Sequence, residues 1–156
     1  MNILVLSDTH GSYHHALKAI EHAGTADYII HLGDSADDAC MIENCIGQAV
    51  VRVAGNCDPY DSSPREIQRT IAGKNFLITH GDAYQVKAGL NRLLRHAHRK
   101  KAHIVLYGHT HRAAIDTIGG IFFVNPGCFD KNGNGSYAMI RIVSGIITAE
   151  IVTISL

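Results

Sequence analysis

The sequence predicts an α/β fold in which two β-sheets pack face to face and the helices lie outside them. Short apolar runs rich in β-branched residues recur through the first two thirds of the chain, as in buried parallel strands. An amphipathic segment follows the first of these runs, as expected for a crossover helix. The last third contains strand-like segments joined by short links that contain glycine and asparagine.

The first two thirds of the chain contain the five predicted parallel strands. Between the first two, residues 12–23 place Leu17, Ile20 and neighbouring alanines on one helical stripe. Ser12 is a suitable N-cap and Gly24 a suitable stop, so the chain is predicted to begin with a βαβ unit. The five strands cover residues 3–6, 28–32, 50–54, 76–79 and 104–107.

A second predicted helix covers residues 84–101, where apolar side chains recur at helical spacing. Arginine and lysine residues fill its other face and its C-terminal end, where the helix dipole favours cations. We interpret this charge as a solvated face rather than a surface for nucleic acid.

Four more strands are predicted after residue 112, at residues 113–118, 121–124, 136–142 and 146–154. Short links containing glycine or asparagine favour antiparallel hairpins. The links here are Gly119-Gly120, Asn132-Gly133-Asn134-Gly135 and Ser144-Gly145.

The composition fits one domain that covers residues 1–156. Hydrophobic residues make up 46% of the chain, enough for a sizeable core. The 14 basic residues balance the 14 acidic ones, so net charge does not favour nucleic acid or an anionic membrane as a partner. No apolar stretch approaches the roughly 18 residues that span a bilayer, and the N-terminal apolar run is too short for a secretory signal. The 4 cysteines lack Cys-x-x-Cys spacing, so we expect reduced thiols and a cytoplasmic protein.

Each of the five early strands ends in a cluster of polar residues. The carboxyl ends of strands in an open α/β sheet lie along the edge where ligands bind, so we expect these clusters to meet in one crevice. Glycines at positions 11, 33, 55, 81 and 108 accompany them, where the chain needs unusual backbone angles or close backbone approach. Residues i and i+2 of an extended segment point the same way, which makes each Asp-x-His or His-x-His motif a candidate chelating pair. The clusters are Asp8-Thr9-His10, Gly33-Asp34, Gly55-Asn56-Cys57-Asp58, His80-Gly81-Asp82 and Gly108-His109-Thr110-His111.

The shared chemistry of these side chains predicts a metal site. A single strand-end aspartate is more often a helix cap, but capping does not require histidine at three strand ends with aspartate or asparagine at the others. Carboxylate, imidazole and amide ligands without an obligatory thiolate suit Mn²⁺, Fe²⁺, Co²⁺, Ni²⁺ or Zn²⁺. The candidates exceed the needs of one tetrahedral ion, so we expect two ions that share a carboxylate, with Asp34 as the bridge. The candidate ligands are Asp8, His10, Asp34, Asn56, His80, His109 and His111.

The ordered motifs closely resemble those of the calcineurin-like metallophosphoesterases, particularly their small single-domain bacterial and archaeal phosphodiesterase branch. The likeness runs from Asp8 to Gly127 and includes the Asn125-Pro126-Gly127 turn. It implies a four-layer αββα sandwich, with two mixed β-sheets flanked by helices. It implies in-line attack on phosphorus by a hydroxide that bridges two ions. The implied ligands are Asp8, His10, Asp34 and His111 for one ion, and Asp34, Asn56, His80 and His109 for the other.

The resemblance also implies the function and its alternatives. We expect a metal-dependent phosphodiesterase that uses Mn²⁺ in preference to Ni, Co, Fe or Zn. Its expected partner is a small phosphoester substrate, with no membrane and no specific nucleic acid. A phosphomonoesterase or nucleotide phosphatase with the same site is the nearest alternative, and a non-enzymatic protein-binding scaffold is the more distant one. The physiological substrate and a homo-oligomeric state stay open.

Cys57 departs from the broader family pattern, which commonly has histidine after the asparagine. A thiol, with a reference pKa of about 8.5, can donate a proton but cannot supply the charge of an imidazolium. We therefore treat Cys57 as a candidate catalytic acid, with a small filler beside the metals as the alternative, and expect a preference for good leaving groups such as aryl groups. Asp58 is the second candidate catalytic residue, with an orienting role toward its neighbours.

Arg112 is a candidate contact for substrate phosphate, and His31 is treated with the other histidines outside the motifs as a surface or core residue.

Overall fold

Ten β-strands and three α-helices make up the fold in the computed structural model, which describes residues 1–155. Strands β1, β2 and β3 are Asn2–Leu6, Tyr28–His31 and Val50–Arg52, and helices α1 and α2 are Tyr13–Ala23 and Ala36–Ile46. Strands β4, β5 and β6 are Glu66–Ile71, Lys74–Thr79 and Ile104–Leu106, and helix α3 is Asn91–Arg99. Strands β7 to β10 are Ala114–Ile118, Ile121–Asn125, Gly135–Val143 and Ile146–Ile154.

The strands form two five-stranded sheets of mixed direction. The first sheet has the order β10-β9-β1-β2-β3, with β1, β2 and β3 parallel and β9 antiparallel to both of its neighbours. The second has the order β4-β5-β6-β8-β7, with β5, β6 and β8 parallel and the two edge strands antiparallel. The predicted α/β class with two mixed sheets is therefore confirmed.

Alternate residues of the central strands face different hydrophobic cores. Val5 of β1 lies in the same core as Leu106 of β6, between the two sheets. The adjacent Leu4 points the other way and shares an outer core with Ala16 of α1. On the outer face of the second sheet, β6 and β8 share a core with Leu93 of α3. The strands are apolar on both faces because both faces are covered, which gives the layer order helix, sheet, sheet, helix.

The five early strands do not form one parallel sheet. Strands β1 to β3 lie in the first sheet and β5 and β6 in the second, while β9 returns to the first sheet beside β1. Helix α2 and strand β4 lie outside the predicted elements. The middle of β4 is exposed, as suits an edge strand, so its sequence lacks an apolar run. Helix α2 has only a narrow apolar side, at Ala39, Ile42 and Ile46.

Two of the three predicted hairpins are confirmed. Strand β7 pairs with β8 across Gly119-Gly120, and β9 pairs with β10 across Ser144-Gly145. The third prediction is wrong, because the link at residues 132–135 joins strands that lie in different sheets. The Asp130 carboxylate accepts the backbone N–H groups of Asn132 at 2.8 Å and Asn134 at 2.9 Å, which folds this link into a loop.

The helices begin and end at positions set by local sequence. Helix α1 follows Ser12 and stops at Gly24 as predicted, although the Ser12 side chain makes no capping hydrogen bond. The helix predicted over residues 84–101 is shorter in the structure. Its first part forms two 3-10 turns, Asp82–Tyr84 and Val86–Ala88, and Gly89 with φ of 132° ends the second turn before α3 begins. None of the helices within residues 1–155 combines the length and apolarity needed to cross a membrane.

Candidate metal centre

The polar ends of five strands meet where the two sheets pack together, at a place we call the seam. The first sheet contributes Asp8, Asp34 and Asn56, which follow β1, β2 and β3. The second contributes His80 and His109, which follow β5 and β6. Parallel strands within each sheet bring their carboxyl ends to the same edge. The predicted crevice therefore forms between two sheets rather than along the edge of one.

Two groups of side chains at the seam have the spacing of a metal site. Within each group, one ligand atom per residue lies within 4.8 Å of all the others. Asp34 belongs to both groups, an arrangement that suits a carboxylate shared by two ions. The first group is Asp8, His10, Asp34 and His111, and the second is Asp34, His80 and His109.

Asp8 is fully buried, and its two carboxylate oxygens have different surroundings. Its Oδ2 accepts hydrogen bonds from the Ser7 hydroxyl and, at 3.1 Å, from the His109 backbone N–H. Among residues 1–155, Oδ1 has no donor and faces Nε2 of His111 at 3.1 Å and Nε2 of His10 at 3.9 Å. An unsatisfied buried polar atom costs about 1 to 3 kcal/mol, and more when charged. A divalent cation fits this donor set, because it would compensate the carboxylate and take the adjacent imidazole nitrogens as ligands.

His80 is fully buried and is oriented by the backbone. Its Nδ1 lies 2.8 Å from the Leu32 carbonyl and must donate to it, which leaves Nε2 facing Asp34 Oδ2 at 3.4 Å and His109 Nδ1 at 3.2 Å. This kind of hydrogen bond fixes the tautomer of a metal-binding histidine. Burial lowers the pKa of His80, but the hydrogen bond that His80 donates to Asp34 and the charges of Asp8 and Asp34 outweigh this effect, so the net shift is upward.

Asp34 is held in its charged form by its neighbours. Burial would raise the pKa of this carboxyl, but hydrogen bonds from His80 and from the Cys57 backbone N–H, 2.9 Å from Oδ1, lower it well below its usual range. Burial and then the charges of His80 and Lys87 lower the pKa of His109.

Five of the seven candidate ligands have positive φ, whereas the sequence predicts extended backbone for the Asp-x-His and His-x-His motifs. The φ angles are 53° at Asp8, 43° at His10, 55° at Asp34, 67° at His109 and 60° at His111. Tight turns, rather than the pleat of a strand, position these side chains. The turns place Asp8 and His10 in the same group but His109 and His111 in different groups. Aspartate and histidine tolerate this conformation better than most residues, yet it costs on the order of 1 kcal/mol each. Such strained positions cluster at functional sites.

Two glycines let the strand ends approach one another at the seam. A Cβ at Gly55 would overlap Oδ1 of Asp34 and lie 2.7 Å from its backbone nitrogen. A Cβ at Gly108 would overlap the Ser7 hydroxyl and lie 2.8 Å from Asp8 Oδ2. The predicted close approach is confirmed at both positions, while positive φ is confirmed at Gly11, Gly33 and Gly81.

The Asp58 carboxylate is occupied by four backbone N–H groups. Its Oδ2 accepts from Asp34 at 2.9 Å and Gly55 at 2.8 Å, and its Oδ1 accepts from Ser35 at 3.2 Å and Ala36 at 2.9 Å. Ser35 is the N-cap of α2 and makes no side-chain capping bond, so Asp58 caps this helix from a separate loop. These contacts hold the loop that carries Asp34, and the catalytic role of Asp58 stays a prediction.

Asn56 and Cys57 lie exposed at the mouth of the seam. Asn56 Nδ2 is 3.4 Å from Cys57 Sγ. Burial, followed by the hydrogen bond and charge of Asp34, raises the pKa of the Cys57 thiol, so this group is protonated near neutral pH. The ligand role of Asn56 and the catalytic role of Cys57 stay predictions.

Two buried polar residues outside the predicted site support the seam. His31 is fully buried at the end of β2, with Nε2 3.0 Å from Thr9 Oγ1 and Nδ1 accepting the Gly33 backbone N–H at 3.2 Å. Burial lowers the pKa of His31 to about 4, so its ring is neutral. Asn125 is fully buried at the end of β8 and donates to the Gly108 carbonyl at 3.0 Å. In both cases, the sequence signal is a polar residue that closes an otherwise apolar strand.

Two clefts of opposite charge border the seam. One, the acidic cleft, has a volume of about 300 Å³, and the other, the basic cleft, has a volume of about 450 Å³. Residues 57–62 and Asp37 line the acidic cleft. The basic cleft is lined by Val86, Lys87, Tyr107, Thr110, Arg112 and Ala114.

Comparison with known families and proteins gives consistent matches. A family model described as the calcineurin-like phosphoesterase superfamily domain matches residues 1–145. A Bacillus subtilis protein named "Probable metallophosphoesterase YsnB" is 30% identical over 129 residues, which cover 81% of this chain and 74% of that protein.

Solved structures share the fold over almost the whole chain. A predicted phosphoesterase from Streptococcus pneumoniae has a TM-score of 0.79 at 24% identity, covering 97% of this chain and 88% of that one. A protein described as a novel archaeal phosphodiesterase has a TM-score of 0.74 at 22% identity, with 97% and 100% coverage. Vps29 from Entamoeba histolytica, complexed with zinc, has a TM-score of 0.71 at 20% identity, with 98% and 99% coverage. At these identities the likeness shows a common fold, which includes the four-layer sandwich described above.

Proposed function

This chain belongs to the calcineurin-like phosphoesterase superfamily, and from that premise we propose that it is a phosphodiesterase that works with two divalent metal ions. The observation that carries the proposal is the membership of Asp34 in both groups of candidate ligands. The archaeal phosphodiesterase of the same fold supports a diester as the substrate class. We place the protein in the cytoplasm, in keeping with its free cysteines.

Every strand end has a defined part in this proposal. Asp8, His10 and His111 would hold one ion, and Asn56, His80 and His109 the other, with Asp34 between them. We propose Mn²⁺ as the cation in both positions, with Ni, Co, Fe or Zn as substitutes, because the ligands are carboxylates, imidazoles and an amide. When bound, the ions supply Lewis-acid charge for the phosphoryl oxygens and a water of lowered pKa.

The residues around the ions keep these ligands in position and provide the proton. The Leu32 carbonyl fixes the His80 ring, and Asp58 fixes the loop that presents Asp34. We propose that the Cys57 thiol, protonated near neutral pH, donates a proton to the leaving oxygen. Since a neutral thiol brings no positive charge, leaving groups that are already stable as anions should react fastest.

The metal requirement is tested by removing and restoring cations. The protein is treated with a chelator, and its rates on bis(4-nitrophenyl) phosphate and 4-nitrophenyl phosphate are measured after each cation is added back. We expect activity to vanish on chelation, to return best with Mn²⁺, and to favour the diester. Activity that survives chelation would contradict the proposal.

The same assay separates the alternatives. A clear preference for the monoester would indicate a phosphomonoesterase or nucleotide phosphatase with the same site. Stoichiometric metal binding without turnover of either ester would indicate a protein-binding scaffold. An aryl diester and a simple alkyl diester hydrolysed at equal rates would remove the proposed dependence on the leaving group.

A further inference from the structure

The basic cleft is the largest of the described clefts that border the seam. Its volume of about 450 Å³ lies within the range of small-molecule sites, and its walls include the apolar side chains of Val86 and Ala114. Lys87 and Arg112 supply the only formal charges among its lining residues, and both are cations. The cleft can therefore accept an anionic group while its walls contact less polar atoms.

The basic cleft adjoins the candidate metal centre at Thr110. Thr110 lines the cleft and lies between the two candidate ligands His109 and His111. Lys87 and Thr110 line the same cleft. A ligand that extends from the candidate metal centre past Thr110 would therefore enter the cleft that Lys87 lines.

The segment that carries Arg112 is held in place by hydrogen bonds to Thr110. The Thr110 hydroxyl oxygen accepts hydrogen bonds from the buried Asn125 amide at 3.0 Å and from the Arg112 backbone N–H at 3.3 Å. Arg112 therefore belongs to a loop that is anchored to strand β8. The position of its backbone is defined even though its side chain is exposed.

Lys87 and Arg112 have no acidic partner in residues 1–155. Other cations of the protein form ion pairs, such as Arg52 with Glu43 at 3.4 Å and Arg141 with Glu150 at 2.7 Å. Neither of the two cleft cations forms such a pair. Their charges are therefore available to a ligand, and a group of two negative charges would match them.

The acidic cleft on the Cys57 side has the opposite character. It is lined by the carboxylates of Asp37, Asp58 and Asp61, and by the fully exposed Tyr60. An anionic group would be repelled there, whereas a neutral aromatic leaving group could contact the Tyr60 ring and take its proton from Cys57. The two clefts therefore distinguish the two sides of a bound diester.

We propose that the substrate carries a second phosphate on the part retained after cleavage, and that Lys87 and Arg112 bind this phosphate in the basic cleft. The inference rests on the proposed phosphodiesterase function and adds a substrate class to it. A phosphate monoester carries about 1.5 to 2 negative charges near neutral pH, which matches two cations. The neutral leaving group would occupy the acidic cleft.

The test compares two chromogenic substrates with the same scissile bond. Thymidine 5′-(4-nitrophenyl phosphate) and its 3′-phosphorylated form differ only in the second phosphate. We expect the metal-loaded protein to prefer the 3′-phosphorylated form by about tenfold in kcat/KM, a preference that weakens as ionic strength rises. In the Lys87→Gln/Arg112→Gln double variant the ratio of the two kcat/KM values should fall to near one.

A matched control removes two cations elsewhere. The Lys74→Gln/Lys101→Gln variant loses the same charge at the amino ends of β5 and β6, opposite the seam, and should keep the full preference. Thermal unfolding of both variants checks that each is folded. If the wild type shows no preference, or if the control variant loses it as well, the phosphate subsite is wrong.

A binding measurement makes the test independent of turnover. Calorimetry with the Mn²⁺-loaded protein would compare thymidine 3′,5′-bisphosphate with thymidine 5′-monophosphate. We expect about tenfold tighter binding of the bisphosphate to the wild type and equal binding of both to the Lys87→Gln/Arg112→Gln variant. Equal affinities in the wild type overturn the subsite, whereas tighter bisphosphate binding without hydrolysis overturns only the proposed activity.

Discussion

At Asp8, a buried carboxylate oxygen faces two imidazoles and, within residues 1–155, has no hydrogen-bond donor. A sequence selected for stability alone would pair this atom or replace it with an apolar one. The other oxygen is well bonded, to the Ser7 hydroxyl and the His109 backbone N–H. The residue is therefore ordered and positioned, with one coordination direction left open. Metal affinity requires Asp8 Oδ1 to be free of a hydrogen-bond donor, whereas folding stability would be higher if this oxygen had one.

The Asp8→Asn variant should separate these two requirements. Its amide oxygen can keep both bonds of Oδ2, while its amide nitrogen, in place of Oδ1, can donate to His111 Nε2, 3.1 Å away. We expect the metal-free variant to be more stable than the wild type by about 1 kcal/mol and to lose activity. Urea unfolding in the presence of a chelator measures the first effect. The exposed Asp116→Asn serves as a control, and a destabilised Asp8→Asn would contradict this account.

His31 gives the metal-free protein a defined pH dependence. Its pKa of about 4 in the folded state lies below the ordinary value of 6.5, so the unfolded chain binds more protons between these values. Stability should therefore fall as the pH drops below about 6.5 and level off below about 4. Between about pH 7.5 and about pH 5, this one residue should account for roughly 2 kcal/mol of lost unfolding free energy.

The measurement compares urea unfolding at these two pH values with a chelator present. His31→Gln should lose less stability on acidification than the wild type, whatever its stability near neutral pH. The exposed His98→Gln should retain the wild-type difference. An unchanged pH dependence in His31→Gln would show that other groups dominate.

At the scale of elements, the loops after β2 and β3 are joined by the Asp58 carboxylate. The sequence predicts the polar cluster that contains Asp58, but it gives no sign that this side chain caps α2, because the helix itself lies outside the predicted elements. A capping residue is recognised by its place just before a helix, and Asp58 lies 22 residues after Ala36. Similarly, the 132–135 link resembles a hairpin, and only the pairing of β9 with β1 shows that it connects two sheets. Contacts between distant segments decide both cases.

The Asp58→Asn variant tests the positioning role. An amide in place of the carboxylate would direct N–H groups at backbone N–H donors, so we expect a loss of about 1 to 3 kcal/mol in unfolding free energy. Turnover should fall because Asp34 is displaced, but the shape of the pH–rate profile should stay the same. Loss of one limb of that profile would instead indicate that Asp58 transfers a proton. Asp37→Asn, an exposed substitution in the first turn of α2, should lower the unfolding free energy by no more than about 0.5 kcal/mol.

At the scale of the whole molecule, the candidate ligands join the two sheets. Asp8, His10 and Asp34 follow strands of the first sheet, whereas His80, His109 and His111 follow strands of the second. The periodicity of strands and polar strand ends is sufficient to predict the two-sheet architecture and to select the candidate ligands, six of which lie in the two groups. It does not predict which strand enters which sheet, because β3 and β5 have similar apolar character. That choice depends on packing over the whole chain.

Metal binding should therefore stabilise the packing of the two sheets. A ligand present at about 100 times its dissociation constant adds about 2.7 kcal/mol to the unfolding free energy, or roughly 5 to 11 °C in Tm for a chain of this size. Scanning calorimetry with Mn²⁺ and with a chelator measures this shift. Asp34→Asn should lose most of the shift together with turnover, because this residue belongs to both groups. A Tm that does not respond to Mn²⁺ at concentrations that saturate activity would contradict a centre shared by both sheets.

The left-handed backbone at His10 and His111 affects the choice of an inactive form of this protein for binding studies. Alanine at either position would keep the unfavourable dihedral angles while removing the imidazole. Glycine adopts such angles without steric cost, although it also gains freedom in the unfolded chain. The His10→Gly/His111→Gly variant should therefore be folded and inactive, with its surface clefts preserved. It is better suited than the corresponding double alanine variant to capturing the natural substrate.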